Sequence, residues 1–96
     1  MDLKNKTAFI TGGASGLGLA TAQNFIAAGA NVMLYDLRAD ALEAAAASLG
    51  PAVVWHAGDV ADEVGVSKAI AVAKERFGPI HVNVNAAGIG GAARTV

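Results

Sequence analysis

Short apolar runs alternate along this chain with longer stretches of helical periodicity. Thr7 to Thr11 (TAFIT) is apolar and β-leaning, and it stops at Gly12-Gly13. Leu17, Ala20, Thr21, Phe25 and Ala28 then recur at spacings of three and four, the period of a helix face, and Gly29 ends that run as a C-terminal cap. Asn31 to Tyr35 (NVMLY) is a second apolar strand closing on Asp36. Asp40 is placed to cap a second helix that runs through alanines to Leu49 and ends at Gly50-Pro51. Ala52 to His56 predicts a third strand. Asp62 caps a third helix carried by Val66, Ala69, Ile70 and Ala73 and stopped near Gly78-Pro79. Ile80 to Asn85 reads as a fourth strand, and Ala86 to Val96 shows no periodicity.

The order β-α-β-α-β-α-β predicts an α/β fold with a parallel sheet and right-handed crossovers. The first two helices are expected on one face and the third on the other. Strand order 3-2-1-4 follows for the first half of a Rossmann-type doubly wound sheet. Neither linker nor repeat splits residues 1–96, so they form one unit.

Composition narrows the function. The 96 residues carry seven basic and eight acidic side chains, a net charge of −1 that offers no patch to nucleic acid or an anionic membrane. Cysteine is absent, and two histidines do not make a structural zinc site, so no metal site is expected. Hydrophobic residues reach 54%, but much of that is alanine, and no run approaches the roughly 18 residues of a spanning helix. The N-terminus lacks the apolar core of a signal peptide. A soluble, cytoplasmic chain is expected.

The chemistry concentrates in Thr11-Gly12-Gly13-Ala14-Ser15-Gly16-Leu17-Gly18, between a strand and a helix. Gly12 permits a sharp turn with positive φ, Gly16 lets backbone approach a pyrophosphate, and Gly18 lets the helix pack on the sheet. The helix N-terminus offers amides and partial positive charge to that anion. Asp36, eighteen positions after Gly18 at the end of the second strand, is placed to accept ribose hydroxyls and repel a 2′-phosphate. Arg38 is the only nearby cation for such a phosphate, and Asp36 precedes it; NAD(H) is therefore expected over NADP(H). Asp59 and the Val60 amide would meet an adenine ring. Asn85, Ala86 and Gly88 leave the fourth strand where the middle of a dinucleotide would pass.

These residues resemble the short-chain dehydrogenase/reductase family. TGGASGLG at Thr11 to Gly18 is similar to its TGxxxGxG motif, and Asn85-Ala86-Ala87-Gly88 is similar to its NNAG motif, with Asp36 and Asp59-Val60 in the family's order. Within the family, ITGGASGLGLATA (Ile10 to Ala22), Ala57 to Val60, AKERFG (Ala73 to Gly78) and VNAAGI (Val84 to Ile89) resemble the type II 3-hydroxyacyl-CoA dehydrogenases. The resemblance implies an NAD-dependent enzyme transferring hydride between nicotinamide and a secondary alcohol or ketone, with 3-hydroxyacyl-CoA as the suggested substrate. It also implies a homo-oligomer. Carried over residue by residue, cofactor contacts fall on Ser15, Leu17, Asp36, Asp59, Val60 and Ala86.

The chain departs from the family's pattern in three ways. The resemblance implies a catalytic tyrosine four residues before a lysine, with a serine nearby. The only tyrosine here is Tyr35, and Ala39 stands four residues on, so no catalytic residue is assigned. In the fourth strand His81, Asn83 and Asn85 fall on one face of a strand that parallel packing would bury on both. Thirdly, the fourth strand is expected to lack a neighbour on one edge. The 96 residues are read as the N-terminal portion of a longer enzyme. The alternatives are a non-catalytic dinucleotide-binding module and a domain for another adenosine ligand such as S-adenosylmethionine.

Overall fold

In a computed structural model, which describes residues 3–86, the chain alternates strand and helix throughout. The elements are β1 (Thr7–Thr11), α1 (Gly16–Ala27), β2 (Asn31–Asp36), α2 (Ala39–Leu49), β3 (Val53–Ala57), α3 (Glu63–Phe77) and β4 (Val82–Asn85). All strand pairs are parallel, in the order β3-β2-β1-β4. Thr11 pairs with Tyr35 on one side and Asn85 on the other, so the carboxyl ends of the strands line up at one edge.

Each face of the sheet has its own core, because side chains alternate along a strand. Ala8, Ile10, Val32 and Leu34 pack with Ala22, Leu42 and Ala45 of α1 and α2. Phe9, Met33 and Tyr35 pack with Ala69 and Ala73 of α3. β2 is buried from Val32 to Tyr35, the apolar run expected of a central parallel strand. Fully burying side chains such as Ile10, Leu34 and Met33 stabilises the fold by about 1.5–3 kcal/mol each.

The structure corrects several local expectations. In α1 the buried positions are Gly18 and Ala22, with Leu19, Phe25 and Ile26 packed beside them; Leu17 is 48% exposed. A Cβ at position 18 would meet the backbone of Gly12 and Gly13, so only glycine fits there, and Leu17 faces outward. α2 begins two residues earlier than expected. Arg38 is its N-cap with no side-chain bond, and Asp40 sits in the first turn, accepting from the Ala41 amide. Asp62 does cap α3, accepting from the Val64 amide. Gly50 and Gly78 end α2 and α3 with φ of 98° and 96°, a region L side chains rarely adopt.

β4 resolves the polar face. In this chain Asn83 and Asn85 are exposed while Val82 and Val84 are half-buried. His81 lies just before the strand, where its Nδ1 accepts from the Thr7 amide (3.1 Å) and its own amide donates to the Thr7 carbonyl (2.8 Å). Gly88 and the remainder of the predicted terminal loop lie outside the described residues. Among the described residues no helix is long and apolar enough to cross a membrane, and no three His, Asp or Glu side chains converge as a metal site.

Candidate dinucleotide site

The loop between β1 and α1 is built on Gly12, which turns off the strand at φ 71°. The amides of Gly12 and Gly13 both donate to the Tyr35 carbonyl, at 2.8 and 3.2 Å, which staples the loop to β2. Ser15 closes it: its hydroxyl donates to the Gly12 carbonyl (2.7 Å) and accepts from the Gly18 amide (3.0 Å) as the N-cap of α1. Ser15, anticipated as a ligand contact, therefore has its hydroxyl committed to the loop.

The glycines divide into two kinds. A Cβ on Gly18 would run into the Gly12 carbonyl oxygen, and one on Gly13 would lie 2.8 Å from the Leu34 Cβ. Both positions are closed by the protein itself. A Cβ on Gly16 would meet nothing within 4 Å. The amides of Gly16 and Leu17 find no acceptor among the described residues, as first-turn amides do not within a helix. Two unpaired donors beside open space, at the positive end of a helix, suit an anion.

Asp36 lies across this loop. Its Oδ2 accepts from the Ala14 amide (3.1 Å), and its Oδ1 accepts from the Arg38 amide (3.2 Å) and sits 3.6 Å from the Arg38 Nε. The Asp36 side chain is 12% exposed and that of Arg38 58%, so the pair adds little stability in water while leaving one carboxylate at the floor of the site. A shallow recess of about 90 Å³ opens beside it, lined by Gly12, Asp36, Leu37, Gly58, Asp59 and Val60. Leu37 and Val60 are large apolar side chains left 68% and 49% exposed at its rim. In the Asp59 side chain, Oδ1 accepts from the Ala61 amide (2.9 Å), and among the described residues the other carboxylate oxygen and the Val60 amide have no partner. Val60 continues into a cleft of about 280 Å³ shared with Phe9, Thr11, Asn83, Val84 and Asn85.

Of the residues singled out from sequence, Gly12, Asp36, Asp59 and Val60 line the shallow recess at the carboxyl edge, while Gly16 and Leu17 open α1 after the glycine loop. Gly18 and Ser15 build its frame. Asn85 stands on the neighbouring strand, where Thr11 Oγ1 donates to its Oδ1 (3.0 Å). Ala86 is 5% exposed, packed in the core with its amide donating to the Thr11 carbonyl (2.9 Å); any ligand there would meet backbone. Sequence reasoning did not find Leu37, and it placed Gly13 and Gly58 within motifs without giving either a role. An apolar residue placed directly after a strand-ending aspartate, in a loop with no core to enter, was the available signal for Leu37.

Tyr35 is fully buried under the Asp59 loop, its hydroxyl donating to the Asp59 carbonyl (2.9 Å). Burial first, then the nearby Asp62 and Asp59 carboxylates, hold its phenol above the ordinary value of 10.0. It is a strand residue, as expected, and not a solvent-facing acid.

Comparison with known proteins places this geometry. The chain is 47% identical over 93 residues to the human 3-hydroxyacyl-CoA dehydrogenase type-2, an alignment covering 97% of this chain and 36% of that protein. It is 39% identical over 89 residues to the sorbitol dehydrogenase of Cereibacter sphaeroides, covering 93% and 35%. Among solved structures, the 3-ketoacyl-(acyl-carrier-protein) reductase of Brucella melitensis complexed with NADH superposes with a TM-score of 0.81 at 33% identity, covering 84% of this chain and 34% of that one. The chain thus spans about a third of the length of the proteins it matches. The profile of the short chain dehydrogenase family matches residues 6–96, and with the glycine loop, Asp36 and the 3-2-1-4 sheet in place, the chain belongs to that family of oxidoreductases, which bind a nicotinamide dinucleotide.

Proposed function

We propose that this chain is the cofactor-binding portion of an NAD-dependent short-chain dehydrogenase that moves hydride between nicotinamide and a secondary alcohol or ketone. The suggested substrate class is a 3-hydroxyacyl-CoA, the substrate named by relatives at 43–47% identity. The observation that carries the reading is the carboxylate of Asp36. It sits between the loop's unpaired amides and the recess bounded by Leu37, Asp59 and Val60. In that position its two oxygens would hold ribose hydroxyls, while its charge opposes a 2′-phosphate.

The residues present fit the group. The Gly16 and Leu17 amides would take the pyrophosphate, Asp36 the adenosine ribose, and Asp59 and the Val60 amide the adenine edge, with Leu37 and Val60 against its faces. Bound NAD supplies a hydride acceptor. The chain's own part is to anchor and orient; Tyr35, buried and bonded to the Asp59 carbonyl, handles no substrate proton.

Titration with NADH and NADPH tests cofactor choice. The wild-type chain is expected to prefer NADH, and Asp36→Ala to weaken NADH binding and narrow the preference. An unchanged NADH-to-NADPH ratio would show that Asp36 does not hold the ribose. Transfer of labelled hydride from a 3-hydroxyacyl-CoA by the full-length protein tests the dehydrogenase reading.

A further inference from the structure

Tyr35 joins both halves of the groove. Its carbonyl oxygen collects the Gly12 and Gly13 amides at the pyrophosphate end, and the next residue, Asp36, collects the Ala14 amide. Its side chain passes through the other face of the sheet and reaches the Asp59 carbonyl. The protein leaves room for that phenol at two separate glycines. A Cβ on Gly58 would overlap the Tyr35 hydroxyl, and a Cβ on Gly65, in the first turn of α3, would stand 2.7 Å from it. The ring itself is held between Phe9 (5.9 Å between centroids) and His56 (6.0 Å, interplanar angle 19°). Apolar packing alone would be served by a residue with no hydroxyl, without two glycines set aside around it.

The Asp59 carbonyl also accepts from the Asp62 amide (3.0 Å), so the phenol supplies one of the two bonds that hold this carbonyl. The turn carries the unpaired Asp59 oxygen and the unpaired Val60 amide. We infer that Tyr35 is a positioning residue for adenine recognition: its hydroxyl fixes the Asp59–Val60 turn so that the carboxylate and amide meet the Watson–Crick edge of the ring. The inference rests on the dinucleotide reading above. It adds that the phenol, which touches no cofactor, sets which base is preferred.

The experiment uses two probes on the full chain, NADH and its hypoxanthine analogue, which lacks the exocyclic amino group that Asp59 would accept. The wild type binds NADH more tightly than the analogue. Tyr35→Phe removes only the hydroxyl. NADH affinity falls roughly fivefold, the size of one net hydrogen bond, while the analogue loses less, and the preference between them collapses. A structural role alone would weaken both probes equally, and that result, or an unchanged preference, overturns the inference. Gly65→Ala approaches the same contact from the other side. It narrows the preference when made alone, and has a smaller further effect in the Tyr35→Phe background, where only the Asp62 carboxylate, 3.1 Å from the added Cβ, remains to be moved. Additive effects of the two changes would also overturn it. A wild-type chain that binds NADH and the analogue equally refutes the Asp59 contact and this inference. One that binds neither probe refutes the dinucleotide reading itself.

Discussion

Gly16→Val isolates the ligand from the fold. The position is exposed, its φ is not in the positive range, and an added Cβ meets no protein atom within 4 Å. Losing glycine from a first helical turn gains about 0.5–1 kcal/mol of backbone entropy, offset in part by the stiffness of a β-branched side chain. Stability should therefore stay within about 0.5 kcal/mol of wild type, as surface changes generally do. Binding should not survive. The Gly16 and Leu17 amides are the unpaired donors of the loop, and hydrogen bonds to a charged group contribute about 1.5–3 kcal/mol each. Screening both from the pyrophosphate loses roughly 3–6 kcal/mol, or about a hundredfold to ten-thousandfold in NADH affinity. Urea denaturation gives the first quantity and calorimetric titration with NADH the second. Gly18→Ala is the control with the opposite signature, because its Cβ collides with the Gly12 carbonyl and the helix must lift; about 3 kcal/mol of stability should go with it. A Gly16→Val variant that is stable and binds NADH within twofold of wild type would refute the anion-cradle assignment.

Three further outcomes follow from single contacts. Leu37→Ser, at a side chain 68% exposed, should leave the urea midpoint unchanged yet weaken NADH several-fold, since Leu37 has no core to support and only a ligand face to cover. His81→Leu removes the acceptor for the amide of fully buried Thr7, so stability should drop by about 1–3 kcal/mol and the Thr7 amide should exchange faster by NMR. Tyr35 gives the alkaline limb. Its phenol is raised above 10.0 in the fold, so the stability it contributes is full below pH 10 and is lost as pH rises through the folded value. Asp59, Asp62 and the stacked His56 are the titratable groups around it. Tyr35→Phe should flatten the fall in melting temperature above pH 10; an equally steep fall in both proteins contradicts it.

What the sequence made legible, and what it did not, divides by the range of the interaction. The seven elements follow from local periodicity and from the glycines and Asp62 that bound them, and the sheet order follows from alternation. The glycine loop was readable because glycine's usefulness is steric and its spacing is local. The inward face of α1 was read in part: the loop spacing gave Gly18 its packing role, but apolarity marked Leu17 and Ala20, whereas the other buried position is Ala22. Asn83 looked like a burial problem only while β4 was assumed covered on both faces. The roles of Gly58 and Gly65 were invisible for a different reason. Each depends on one atom, the Tyr35 hydroxyl, brought to it from more than twenty residues away by the crossover through α2 and β3.

Asp36 shows why affinity by itself is a poor measure of this site. One oxygen holds the Ala14 amide of the glycine loop, and the other holds the Arg38 amide at the start of α2. Asp36→Ala therefore releases a half-buried amide, at a cost of about 1–3 kcal/mol, in the very loop that presents Gly16 and Leu17 to the pyrophosphate. Weaker binding of every dinucleotide follows from that alone, whether or not the carboxylate touches ribose. Only the ratio of NADH to NADPH separates the two tasks, because loop displacement weakens both cofactors alike while loss of the negative charge favours the 2′-phosphate alone. Asp36→Asn sharpens the separation. It keeps an oxygen for the Ala14 amide and removes the charge, so the loop should hold, stability should fall less than in Asp36→Ala, and the preference should still shift toward NADPH. If instead the ratio follows stability across the two variants, Asp36 acts on the cofactor through the loop and not through the ribose.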